Sequence, residues 1–136
     1  MRISIAYAAT LLTLAVLDSA WIGLIALGQF QDALGATLRA VPYLNAAIAF
    51  YLVYAGGLVL LAVRPALGAS SLGVSLINGA VVGLTAYATY DLTSLAIING
   101  YTPGLALLDM AWGTVLSAIA ALAGYGAAAR MGRGTS

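Results

Sequence analysis

The sequence predicts an all-α, polytopic membrane protein: four transmembrane helices in an antiparallel bundle, with a short interfacial helix between the first two. Three observations predict it. Of 136 residues, 63% are apolar and only 7% charged, and the mean hydropathy is +1.05. A soluble domain carries about 25% charge, so this inventory cannot build a water-facing surface. The charge-poor runs each reach the roughly 20 residues that cross about 30 Å of hydrocarbon. None shows the alternation of a barrel strand, so helices are what satisfy the backbone in lipid.

The elements follow in order along a single transmembrane domain, residues 1–136. The first span is expected at about 3–27, interrupted only by Asp18. Its apolar run continues past Asp18, longer than a cleavable leader needs, so it reads as a retained span. The segment 28–41 carries Gln29, Gln31, Asp32 and Arg39, with Phe30, Leu34 and Leu38 spaced four apart. That stripe suits a helix lying in the headgroup zone. Pro42 is then expected in the first turn of the second span, 42–63, which Arg64-Pro65 closes. The third span, 72–98, contains Asp91, and the fourth, 104–129, contains Asp109. Between them Asn99-Gly100-Tyr101-Thr102-Pro103-Gly104 is a dense turn signal, so these two form a tight hairpin.

Charge excludes much chemistry and orients the chain. The five basic residues are all arginine and the four acidic ones all aspartate; Lys, Glu, His and Cys are absent. There is no histidine base, thiol nucleophile, disulfide, or His or Cys ligand for zinc, iron or haem. No cofactor is expected. Five scattered arginines make no basic patch, so nucleic acid is not an expected partner. Arg2, Arg64, Arg130 and Arg133 fall on one side of the four spans and Arg39 on the other. The positive-inside bias makes the first side cytoplasmic, with both termini there.

Three of the four aspartates lie within spans, where each costs about 2.5–3.5 kcal/mol on insertion scales. Counted from the outer breaks, Asp18, Asp91 and Asp109 lie roughly 15, 12 and 7 Å deep. They therefore share the outer half of the membrane, with Asn45 of the second span near the same level. On the third span Gly79, Gly83, Tyr87 and Asp91 follow at intervals of four; on the fourth, Asp109, Gly113, Ser117 and Gly124 make a similar small-residue stripe. Such stripes pack against protein, which points the acids into a pocket between helices. Out of water and near one another, the acids are expected to form a coupled set that holds at least one proton at neutral pH, with Tyr87, Tyr90, Thr93 and Asn45 as hydrogen-bond partners. Trp21, Trp112, Tyr51, Tyr54 and Ser94 are the expected pocket lining. Tyr7, Tyr43, Tyr101 and Tyr125 read instead as interfacial belt residues. Asp18-x-x-Trp21 recurs as Asp109-x-x-Trp112 on a span of opposite direction, a faint inverted repeat.

At these residues the chain resembles a known family. Leu17-Asp18-x-x-Trp21-Ile22-Gly23, Phe50-Tyr51-x-x-Tyr54-x-x-Gly57, Ala86-Tyr87-x-x-Tyr90-Asp91-Leu92-Thr93 and Asp109-x-x-Trp112-Gly113-Thr114 are similar to the domain of unknown function 2177 family of small bacterial membrane proteins. Ser94 stands where that family commonly has Asn. The resemblance implies four membrane helices in the bacterial inner membrane, and no activity.

Three functions fit the residues. In the first, the acids bind or relay a proton, a cation or a cationic small solute, the usual task of intramembrane carboxylates. Asp18, Asp91, Asp109 and Asn45 could also offer oxygens to a hard cation, with the metal itself left open. Four spans are few for one transporting subunit, so a homodimer is expected within the bilayer. In the second, an intramembrane enzyme acts on a lipid or isoprenoid through Asp acid–base chemistry. It ranks lower because no catalytic set is recognisable. In the third, the acids only glue helices in a structural or assembly protein. Interhelical bonds of that kind average about 0.6 kcal/mol, which hardly offsets three insertions.

Overall fold

The computed structural model describes the backbone of residues 1–134 and the side chains of residues 1–131. It is all-helical, with four helices long and apolar enough to cross a membrane. These are α1 (Arg2–Thr37), α2 (Leu44–Ala69), α3 (Leu72–Ile97) and α4 (Pro103–Gly134). Their outward faces carry large apolar side chains, among them Leu24 at 83% and Val53 at 76% exposure. The interior is rich in small residues: Ala6, Thr10, Ser75, Ser117, Ala120, Ala121 and Ala128 are fully buried, beside Leu14, Leu58, Val63 and Leu116. Lipid tails reward close backbone approach rather than burial of bulk, and this inverted distribution is what such packing selects.

The first two helices run further than the sequence suggests. The expected break at Gly28 is absent. Instead α1 passes through a π turn at Ile22–Ala26 and continues as α-helix over Leu27–Leu34, ending in a 3₁₀ turn at Gly35–Thr37. A stripe spaced by four drifts about 40° per step around an α-helix, and a wider π turn winds it back. Ala6, Thr10, Leu14 and Asp18 are buried ahead of the π turn, and Ala26 at its end is buried again. At about 1.5 Å per residue the 36 residues span about 54 Å, well beyond the hydrocarbon thickness. The expected interfacial segment is therefore the end of α1. Its stripe turns onto protein, with Phe30, Ala33 and Leu34 packed on Tyr101, Leu105 and Ala106.

Pro42 lies two residues outside α2, which begins at Leu44 behind an extended Tyr43. Nor does Arg64-Pro65 end that helix, which continues to Ala69. Proline cannot donate to the carbonyl four residues back and crowds it. Here a π turn at Val59–Val63 relaxes the crowding, and the freed Leu61 carbonyl accepts from Asn78 Nδ2 of α3 at 3.1 Å. Ser70, in the left-handed region at φ 50°, makes the actual stop, and Ser71 caps α3 by accepting from the Val74 N–H at 3.3 Å.

The hairpin between α3 and α4 forms as the turn residues require. Gly100 adopts φ 91°, Thr102 accepts from the Leu105 N–H at 3.1 Å, and Pro103 opens α4. Paired contacts run in opposite order along both helices that flank α4. Against α1, Arg2 meets Ala128, Thr10 meets Ala120 and Asp18 meets Trp112. Against α3, Gly79 faces Ala121, Gly83 faces Ser117 and Gly113 lies under the ring of Tyr87. The expected Gly79–Gly83 stripe is thus a helix–helix seam. Arg2 and Arg64 lie at the same end of the bundle, beside the first turns of α1, and Arg39 stacks on Tyr43 at the far end. Arg133, counted in the charge bias, lies outside the described side chains.

Candidate functional site

The i, i+4 faces of α1, α3 and α4 carry their acids inward, and Asp18 and Asp109 line one cavity. Asp18 is 7% exposed, Asp91 0% and Asp109 8%. Both oxygens of Asp18 accept: Oδ2 from the Tyr51 hydroxyl of α2 at 2.5 Å, Oδ1 from Trp112 Nε1 of α4 at 3.0 Å. One carboxyl therefore ties three helices together. The indole of Trp112 is fixed in turn by stacking on Trp21, centroids 4.6 Å apart and planes within 6°.

Asp91 is held differently. The Tyr101 hydroxyl donates to its Oδ1, while Oδ2 is buried with no hydrogen-bond partner among the described residues. Asp109 of α4 is buried as well and lines the cavity beside Asp18. Burial and the adjoining Asp91 carboxylate push the Tyr101 phenol, on the α3–α4 turn, well above its ordinary range, so it stays a donor.

Beside these acids opens a cavity of about 550 Å³. Its wall presents Asp18 and Asp109, the rings of Trp21, Phe30, Phe50, Tyr87 and Tyr90, and aliphatic groups of α1 such as Ile22 and Leu27. Trp21 Nε1 is buried with no hydrogen-bond partner among the described residues. A second cavity of similar size lies between the opposite ends of α1 and α2, with Arg64 as its charged group.

The remaining expected site residues divide. Tyr87 and Tyr90 line the cavity, and Tyr54 bonds Ser117 at 2.6 Å just behind it, edge-on to Tyr87. Tyr51 and Trp112 act through Asp18 rather than on the cavity wall. Ser94 is buried on α3, but Thr93 and Asn45 are exposed and stand apart from the cluster. Among the described residues no three acids are placed to hold a metal ion, so the oxygen cage with Asn45 does not assemble.

Two partners were not legible as such in the sequence. Tyr101 sits at a span end, where a belt role is the ordinary reading, yet it is 6% exposed and reaches Asp91. The available signal is its place in the tight turn, which folds residues back over the helix it follows. Ser117 shared the small-residue stripe of α4, and nothing in its spacing marks a tyrosine partner.

Fold and site together define a class: a four-helix membrane protein with converging intramembrane carboxyls beside an aromatic cavity. Within that class the chain belongs to the DUF2177 family, described as a predicted membrane protein, whose model matches residues 3–126. Neither the curated proteins nor the solved structures searched contain a match.

Proposed function

We propose that the protein binds a lipophilic cation in the cavity that all four helices line. One observation carries this reading. Asp18 and Asp109 are the acidic groups of a cavity otherwise walled by five aromatic rings and aliphatic side chains. Aromatic faces and carboxylates both attract positive charge, and each does so more strongly out of water. The apolar wall takes up the hydrocarbon part of the ligand while the acids select its charge. Such a site is what a small transporter or sensor of cationic solutes in the bacterial inner membrane requires. The arginine-rich end, with the N-terminus, faces the cytoplasm in this reading.

The two tryptophans of the chain flank the site and report on it directly. Tetraphenylphosphonium, a permanent cation, is expected to change their fluorescence on binding to the purified protein. Tetraphenylborate, an anion of the same shape, should not compete. Asp109→Asn should weaken the cation by about tenfold or more, equivalent to about 1.4 kcal/mol. Equal binding of both ions, or an unchanged affinity in the variant, would overturn the proposal.

A further inference from the structure

We infer that the second cavity, between the first turns of α1 and the last turns of α2, binds an anionic phospholipid from the leaflet on the arginine side of the membrane. It is separate from the cation site, and the two stand or fall independently. Ser4 and Tyr7 of α1 wall it on one side, and Gly56, Val59, Leu60 and Arg64 of α2 on the other.

The cavity is polar at one end only. The two helices are antiparallel, so Ser4 and Arg64 fall toward the end of the bundle and Tyr7 and Gly56 toward its middle. From Arg64 to Gly56 the wall runs about 12 Å along α2. Tyr7 donates its hydroxyl to the Leu52 carbonyl at 2.9 Å, so its ring bridges the helices and closes the deep end. Opposite that ring Gly56 has no side chain, and a Cβ there would stand 3.9 Å from Tyr7 Cε2. Space is thus kept where one apolar side chain would fill it. Val59 and Leu60 open the π turn of α2, a wide turn of the kind that recurs at functional sites.

The charge at the mouth has no counter-ion among the described residues. Arg64 makes no hydrogen bond or ion pair with them, whereas Arg2 beside it donates from Nε to the Ala128 carbonyl at 3.3 Å. Asp18, Asp32, Asp91 and Asp109 all stand toward the other end of the bundle. A guanidinium at a membrane surface attracts anionic headgroups and offers phosphate oxygens a planar fork of donors. Below it the apolar wall takes up hydrocarbon and gives a free phosphate nothing. A lipid satisfies both ends of the cavity. Inorganic phosphate satisfies one.

Native mass spectrometry tests the site, with the full chain released from detergent carrying phosphatidylglycerol or phosphatidylcholine of the same acyl chains. The wild type is expected to retain a single phosphatidylglycerol, and phosphatidylcholine at least about fivefold less, the worth of one arginine facing an anionic headgroup. Arg64→Gln should lose that preference. Gly56→Leu keeps the arginine but fills the deep end, and should lose retention of either lipid. Equal retention of the two lipids by the wild type overturns the inference. So does phosphatidylglycerol that survives Gly56→Leu or yields to excess inorganic phosphate, because the charge would then act without the cavity. A lipid-free dimer would place a second copy on this face and overturns it as well. The wild-type comparison decides the matter even if a variant fails to fold.

Discussion

Asp18→Leu is expected to lower the thermal stability of the purified protein and to abolish cation binding, while Asp18→Asn keeps much of the stability. Leucine leaves the Tyr51 hydroxyl and the Trp112 indole N–H without an acceptor, and both are partly buried. Interhelical hydrogen bonds in membranes average about 0.6 kcal/mol, which sets a floor of about 1 kcal/mol for losing two. A buried donor with no alternative partner costs about 1–3 kcal/mol, so the loss should reach about 3 kcal/mol. Asparagine retains one acceptor oxygen and therefore loses less. The Trp21–Trp112 stack should loosen in the leucine variant, which near-ultraviolet circular dichroism reads directly. A leucine variant as stable as wild type, with the stack intact, would show that Asp18 does not join the helices.

The second large effect is expected at the α3–α4 seam. A Cβ at position 113 would fall inside the ring of Tyr87, and one at position 83 would meet the Gly113 carbonyl and the Ser117 side chain. Relief requires the two helices to separate, because the obstacle at 113 is the near edge of a ring held by its own backbone. Gly113→Ala should therefore destabilise by about 1–3 kcal/mol, the usual range for overpacking. It should also weaken cation binding, since Tyr87 forms part of the cavity wall. Gly126 offers the control: nothing lies within 4 Å of its added Cβ. Alanine there gains up to about 1 kcal/mol of helix propensity in water and meets no clash. Thermal melts of the two variants side by side check the contrast, and equal melts would place Tyr87 elsewhere.

How much of this was legible beforehand varies by feature. The α3–α4 hairpin is written in local chemistry: a glycine at positive φ, a threonine cap and a proline at the first helical position act within a few residues. Arg64-Pro65 carries a similar local signal and misleads. Whether a proline ends a helix depends on what else can take the carbonyl it frees, and here that is Asn78, thirteen positions beyond Pro65 on another helix. Gly28 misleads for the same reason, because the α1 extension is held by Tyr101 and Leu105 rather than by its own preference.

The chain alone determined that it belongs in a membrane, where its four apolar stretches fall, and which three carboxyls are out of place. Transfer into hydrocarbon acts residue by residue, so adding along the sequence is enough. Pairings were another matter. That Asp18 joins Tyr51 and Trp112, that Asp109 shares its cavity, and that a turn tyrosine reaches Asp91 depend on how far each helix is rotated and shifted against its neighbours. One residue changes that rotation by about 100°, and two π turns reset it, so only the assembled helices settle which side chains meet.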